Sequence, residues 1–321
     1  MDCAHLWILF LGIAGMLPPV YGDAIEQAGD TAPVTSVGAG TRTATPLPEL
    51  GAKAEIADSA LRWRNTSLIT TGALAVGIYG QNKWWQDGFA DRLRSVDEGW
   101  FEQNTASGGA DKAGHTFANY MGTRLLARAF EEIGNDQDTA LKLAAWTTFG
   151  TFMGVEVIDG YSKKWRFSKE DGVMNAAGVG LAVLMEKNPE LDELLDFRLR
   201  YQPSTNRGQR RSFDPLGDYS GQTYLLVAKA SGVPALRNNP LLRYLEIAVG
   251  YGARGYEEFT PGMPDERSRH VYYGIALNLS ELLRQTAFRG STQPGRTQRA
   301  INGLLEYIQV PQAAALADHR L

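Results

Sequence analysis

The chain has 321 residues, 44% of them hydrophobic and 21% charged, with a net charge of −4. That balance offers no basic surface for nucleic acid, and a mean hydropathy of −0.26 excludes a bundle of lipid-bathed helices. The single cysteine, Cys3, leaves the rest of the chain without a disulfide or a cysteine metal ligand, so the fold must be held by its own core.

Leu6–Leu17 is an apolar run that breaks at Pro18 and Pro19 and is followed by Val20-Tyr21-Gly22. The run is well short of the ~20 apolar residues a membrane span needs. It reads as a signal peptide over residues 1–22, with Asp23 as the first mature residue. Cys3 precedes the run, so it is not placed to be lipidated. Residues 23–51 are rich in Ala, Thr, Gly and Pro and predict a flexible spacer.

A helical domain is predicted over residues 52–200. Ala52–Arg64 reads as helix, and the apolar stretch Ser67–Tyr79 as a buried core helix, with a membrane-surface or re-entrant role as its alternative. A Trp-rich connection runs from Lys83 to Phe101. Helices follow over Asp111–Ile133, Thr139–Ile158 and Ser168–Lys187, with a short one over Pro189–Leu199. Residues 201–216 form a polar loop that includes the cationic Arg207–Arg211 stretch.

Residues 217–310 are predicted to be β-rich, with strands at Gln222–Lys229, Tyr244–Tyr256 and Val271–Leu279. The turn-like Pro261–Ser268 joins two of them as an antiparallel pair, and 311–321 is left as a tail. The expected fold class is α+β, mainly α: a helical bundle-like core followed by a small antiparallel β region packed against it. Three or four strands cannot close a membrane barrel, which takes ~8.

Four polar clusters fall on the central helices. Asp111-Lys112 and His115 come first; Asp111 and His115, four apart, lie about 40° apart on one helix face. Glu156 follows, with Asp159-Gly160 just beyond it; then Ser168 with Asp171; then Asn175 with Gly178. Each has a structural explanation: Asp111 as a residue favoured by the helix dipole, Ser168 and Asp171 as a capping box, Asn175 as interhelical glue. Glu156 sits where the apolar pattern predicts burial, and an unpaired buried carboxylate costs several kcal/mol, so His115 or Lys112 is expected beside it. Together these groups suit general acid–base chemistry or a hard metal, while a single histidine argues against zinc.

Taken in order, Asp111-Lys112-Ala113-Gly114-His115, Glu156 with Asp159-Gly160, Trp165-Arg166-Phe167-Ser168 with Asp171, and Asn175 with Gly178 resemble the DUF2279 family, the YfiM-like predicted periplasmic lipoproteins. A more distant resemblance is to VanZ-like membrane proteins. The later segments Asp218–Gln222 and Ala248–Ala253 resemble longer DUF2279 members, so the likeness runs over about residues 60–280. The resemblance implies a location in the Gram-negative envelope, exported and periplasmic, peripheral to the outer membrane. It carries no catalytic residue across.

Two functions are therefore expected. The first is a structural or binding envelope protein, with an envelope protein or a membrane surface as partner. Lys112, Asp159, Ser168 and Asn175 then form a packing network. The alternative is an enzyme on a lipid or cell-wall precursor, with His115 as base, Asp111 or Glu156 as its orienter, and Asp171 and Asn175 as substrate or metal contacts. The chain has no Gly-x-Ser-x-Gly elbow and no HExxH motif. No cofactor and no specific metal is implied.

Overall fold

The computed structural model describes residues 47–206, 209–210, 213–256, 265–289 and 295–321. The expected signal peptide, nearly all of the expected spacer, half of the Pro261–Ser268 turn, and Arg207 and Arg211 of the cationic loop lie outside these residues.

Five helices open the fold: α1 (Leu47–Lys83), α2 (Ala110–Glu132), α3 (Gln137–Tyr161), α4 (Lys169–Lys187) and α5 (Pro189–Leu194). Their starts follow from local chemistry. The Asp136 side chain accepts the Thr139 amide at 3.0 Å, and Ser168 Oγ accepts the Asp171 amide at 3.2 Å. Pro189 supplies the fixed φ that suits a first helical position. Before α2 the chain turns at Gly109, in the left-handed region at φ 82°, where a Cβ would run into the Phe101 ring.

Helix α2 lies between α3 and α4. At one end Leu68, Phe130, Leu141 and Ala144 form a core. At the other, Phe117, Tyr120 and Met185 meet Leu199, Tyr224 and Tyr307 from the β region, each full burial adding ~1.5–3 kcal/mol. Helices α2 and α4 come close together at Gly178 on α4. A Cβ there would overlap the Thr116 carbonyl oxygen and stand 2.8 Å from Asn119 Cβ.

The remaining strands of the core sheet are β3 (Leu195–Tyr201), β6 (Gln222–Lys229), β7 (Leu245–Arg254), β8 (Ser268–Leu277) and β9 (Ala314–Arg320), antiparallel in the order β3-β6-β7-β8-β9. Two two-residue pairs lie outside it. β1 (Ser95–Val96) runs parallel to β2 (Phe167–Ser168), and β4 (Thr205–Asn206) pairs with β5 (Gln209–Arg210). Three short helices, α6 (Pro234–Arg237), α7 (Leu279–Gln285) and α8 (Arg296–Tyr307), complete the region.

The sheet curls. The Gln309 amide donates to the Leu199 carbonyl at 2.9 Å, placing the approach to β9 alongside β3, while β9 itself pairs with β8 at the opposite edge. Five flat inter-strand gaps would separate those positions by ~24 Å. The six steps from Ile308 to Ala314 reach only ~20 Å fully extended. The concave face holds Leu225, Val227 and Ala248, packed with Tyr272 and Leu316. It also holds a buried ion cluster in which Arg198 grips Glu246 through two 2.8 Å hydrogen bonds and reaches Asp196 and Gln309. The convex face leaves Ile247 62% and Ile275 55% exposed, beside Val249 and Tyr273.

The fold is α+β and mainly α, with the antiparallel sheet packed on the helices as expected. Four expectations are corrected. Ala52–Arg64 and Ser67–Tyr79 belong to one continuous helix, α1. Ser67–Tyr79 is not buried as a whole: Leu68 and Val76 face the core while Leu74 and Ile78 are exposed. Leu195–Tyr201 is a strand, not the end of the helical part, because Asp196 and Arg198 alternate with Phe197 and Leu199 to serve two faces. Within 311–321, Ala314–Arg320 is strand β9, not a loose tail, since β8 needs a partner along its second edge. Among the described residues no helix is long and apolar enough to cross a membrane.

Gly178→Ala should therefore destabilise the chain by ~1–3 kcal/mol through overpacking between α2 and α4. Urea unfolding followed by circular dichroism measures this; a midpoint equal to that of the parent would contradict the close contact.

Candidate functional site

Helices α2, α3 and α4 bring all four polar clusters to one place, next to the β1–β2 pair. Lys112 on α2 is 1% exposed, yet its ammonium has three carboxylate neighbours: Glu98 at 2.5 Å, Asp171 at 2.8 Å and Asp111 at 3.0 Å. Burial alone would discharge it. Asp111 and Asp171, with Glu98, reverse this and hold its pKa well above the ordinary lysine value.

His115, one turn further along α2, donates from Nδ1 to Asn175 Oδ1 at 2.9 Å. The same oxygen accepts from Asn119 Nδ2 at 2.6 Å, and Asn119 Nδ2 also reaches the His115 carbonyl at 2.9 Å. With Nδ1 fixed, Nε2 stands 3.8 Å from Asp171 Oδ1, and Glu156 Oε1 lies 3.8 Å from Nδ1. Burial works against the imidazolium, but the charges of Asp171 and Glu156 outweigh it and raise the His115 pKa. Asp171 moves the opposite way, below its ordinary value, because His115 and Lys112 overcome its burial.

Glu156 on α3 is 2% exposed. Burial, reinforced by Asp171 and Asp159 and opposed by His115, pushes its pKa up to about 8. One turn on, Asp159 accepts from Trp85 Nε1 at 2.6 Å, and burial pushes its pKa up to about 6. Glu98 is raised by burial as well, against the pull of Lys112. Five carboxyl groups (Glu98, Asp111, Glu156, Asp159, Asp171) thus face two cationic ones, Lys112 and His115.

Every sequence-derived candidate lies in or beside this cluster, in different roles. Asp111 pairs with Ser107 and Lys112, and His115 is oriented by Asn175 instead. Ser168 caps α4, as its spacing to Asp171 suggests, but the Asp171 carboxylate turns to Lys112 and does not close the box. Sequence reasoning missed Glu98, Trp85 and Asn119. Asn119 follows His115 by four residues and was open to the same spacing argument. Glu98 sits in a loop, with no periodicity to mark it.

Three acidic or basic atoms here, one each from His115, Glu156 and Asp171, lie within 4.8 Å of one another; a second such set is Glu98, Asp111 and Asp171. The His115 ring faces Asn175, Glu156 and Asp171.

Residues 97–187 match the family model DUF2279, described as a predicted periplasmic lipoprotein. The match covers all four polar clusters, and the Asp218–Gln222 and Ala248–Ala253 segments lie beyond it. The description agrees with an exported, periplasmic location. No curated protein and no solved structure matches the chain.

The shifted groups set a pH dependence. Glu156, Asp159 and His115 each hold a proton more tightly in the folded chain, so the folded state binds more protons and stability falls as pH rises. For Glu156 the window runs from the ordinary 4.5 to about 8. Asp171 acts in the opposite sense, but only at acid pH, where its carboxylate titrates. Thermal melting should be higher near pH ~5 than near pH ~9, and Glu156→Gln should flatten the slope. A melting temperature that climbs across this range would refute the assignment.

Proposed function

We propose that this periplasmic protein is a non-catalytic binding protein of the cell envelope, whose buried polar network fixes the helical unit. The carrying observation is the Lys112 cluster. One ammonium draws carboxylates from the loop after β1, from α2 and from α4, and so joins three segments of the chain. His115 repeats the pattern, tying α2 to α4 through Asn175. A hydrogen-bonded charge network of this kind specifies a unique packing of the elements that carry it.

A second reading, hard-metal or acid–base chemistry on a lipid or cell-wall precursor, is favoured by one observation. The excess of carboxyl groups beside His115 leaves negative charge that a divalent cation would neutralise, with His115, Glu156 and Asp171 as its nearest donors.

Melting of the mature protein, Asp23–Leu321, distinguishes the two. Lys112→Met should cost ~3–5 kcal/mol, because it strands three carboxylates around a neutral side chain. Magnesium, calcium, manganese or a chelator should leave the parent unchanged. A rise in the parent's melting temperature with one of these cations, lost in Glu156→Gln, would overturn the first reading in favour of the second.

A further inference from the structure

Helix α2 gives Phe117 and Tyr120 to the sheet. Its Gly122, about 200° round the helix from Tyr120, lies against Thr148 of α3, so α3 stands across α2 from the sheet. On one flank of α3 is α4, whose Gly172 lies against Met153. On the other is α1, across an apolar cleft lined by Val76 and Phe152. The outer surfaces of α1, α3 and α4 therefore form a face centred on α3 and turned away from the sheet.

That face is uncharged over its middle. Asn65–Asn82 of α1, Leu143–Val155 of α3 and Gly172–Met185 of α4 contain no Asp, Glu, Lys or Arg. Glu156, next on α3, is only 2% exposed. At 1.5 Å per residue the uncharged zone is ~20 Å long or more. What it exposes is apolar: Trp146 is 74% and Val157 44% exposed, and Leu74, Ile78, Val173 and Leu184 are 49–62% exposed. Residues eleven apart return to within about 20° of one line along a helix, so Trp146 with Val157 and Val173 with Leu184 are stripes. Single exposed apolar residues need no explanation; aligned stripes on neighbouring helices mark a contact surface.

The two ends of the zone have a different composition. At one, Trp63 is 73% exposed between Arg62 and Arg64, beside the α2–α3 turn that Arg64 and Asn65 reach. At the other, Trp165 donates to the Trp84 carbonyl at 2.8 Å, and the Lys164 ammonium stands 4.6 Å over its ring. Acidic groups are present too, Asp58 beside Arg62 and Asp97 beside Lys169, so the ends are of mixed charge. Indole rings beside long basic side chains, at both ends of an apolar zone, suit the boundary between acyl chains and headgroups. There each keeps its apolar body in lipid and its polar end in water.

We propose that this face lies on a phospholipid bilayer, with Trp146 and the aliphatic stripes among the acyl chains and the tryptophan-bearing ends at the headgroups. The inference rests on the reading of the chain as an envelope binding protein and names its partner. No described helix is long and apolar enough to cross a membrane, so the contact is that of helices lying in the interface.

The mature protein, Asp23–Leu321, is co-sedimented with vesicles of phosphatidylethanolamine and phosphatidylglycerol. Binding should persist in ~1 M salt, where the Debye length is only ~3 Å, because apolar burial is not screened. Trp146→Glu should weaken binding ~10-fold or more, as loss of a buried aromatic side chain implies, and Val173→Glu should act likewise from α4. Ile247→Glu, exposed on the convex face of the sheet, should bind like the parent. Each variant is first shown to melt like the parent; where Trp146→Glu or Val173→Glu does not, the other decides. The inference is overturned if the parent stays in the supernatant, if salt releases it, or if these two variants bind as tightly as the parent. It is equally overturned if sedimentation velocity shows a parent dimer that Trp146→Glu dissociates, with no vesicle binding, since the face then meets a second copy. These outcomes leave the Lys112→Met and cation melting results, which test the underlying reading, unchanged.

Discussion

The Lys112 ammonium is the constraint on which the helical unit depends. Removed from water, it keeps its charge only with carboxylates around it: Asp111 on its own helix, Glu98 from the loop after β1 and Asp171 from α4. Once those segments are in place, α4 is pressed so close to α2 that only a glycine fits at position 178. That closeness in turn lets Asn175 reach His115 across the helix pair. Glu156 enters from α3 as an additional acid in an already acidic place, which is why its proton is held so tightly.

The β region is organised on the same electrostatic logic, with Arg198 in place of Lys112. Its guanidinium, buried on the concave face, gathers Asp196, Glu246 and Gln309 from different strands and from the approach to β9. The sheet therefore curls around a charged centre and turns much of its apolar surface outward, where Ile247 and Ile275 remain exposed. Phe197 and Tyr224 are the exceptions. Phe197 packs edge-on against Phe117 and Tyr120 of α2, and Tyr224 lies tilted against Phe117, so they fasten the sheet to the helices.

The two regions offer different chemistry. The helical cluster is acidic and has its cations bound within itself. At the sheet, a cavity is lined instead by Arg200, Arg254, Thr223 and Ser204. This division agrees with the family match, which covers residues 97–187 and leaves the sheet outside it.

Much was legible in the sequence where the signal was local. Helical spacing located α2, α3 and α4 to within a few residues, Ser168 announced the start of α4, and the Tyr, Leu and Val content of Gln222–Lys229 gave β6. The order of the polar clusters indicated that His115, Glu156 and Asp171 share one site. Local pattern could not show that Leu195–Tyr201 and Ala314–Arg320 are strands, because both are edge segments whose pairing is supplied by residues far away in the chain. Nor could it show that Glu98 completes the Lys112 cluster, or that Arg200 and Arg254 line one cavity, since only the parallel β1–β2 contact and the β3–β6–β7 register bring them together. Periodicity decides what a segment can become; which charges meet is decided by packing, because a buried charge takes its partners from whatever surface folds over it.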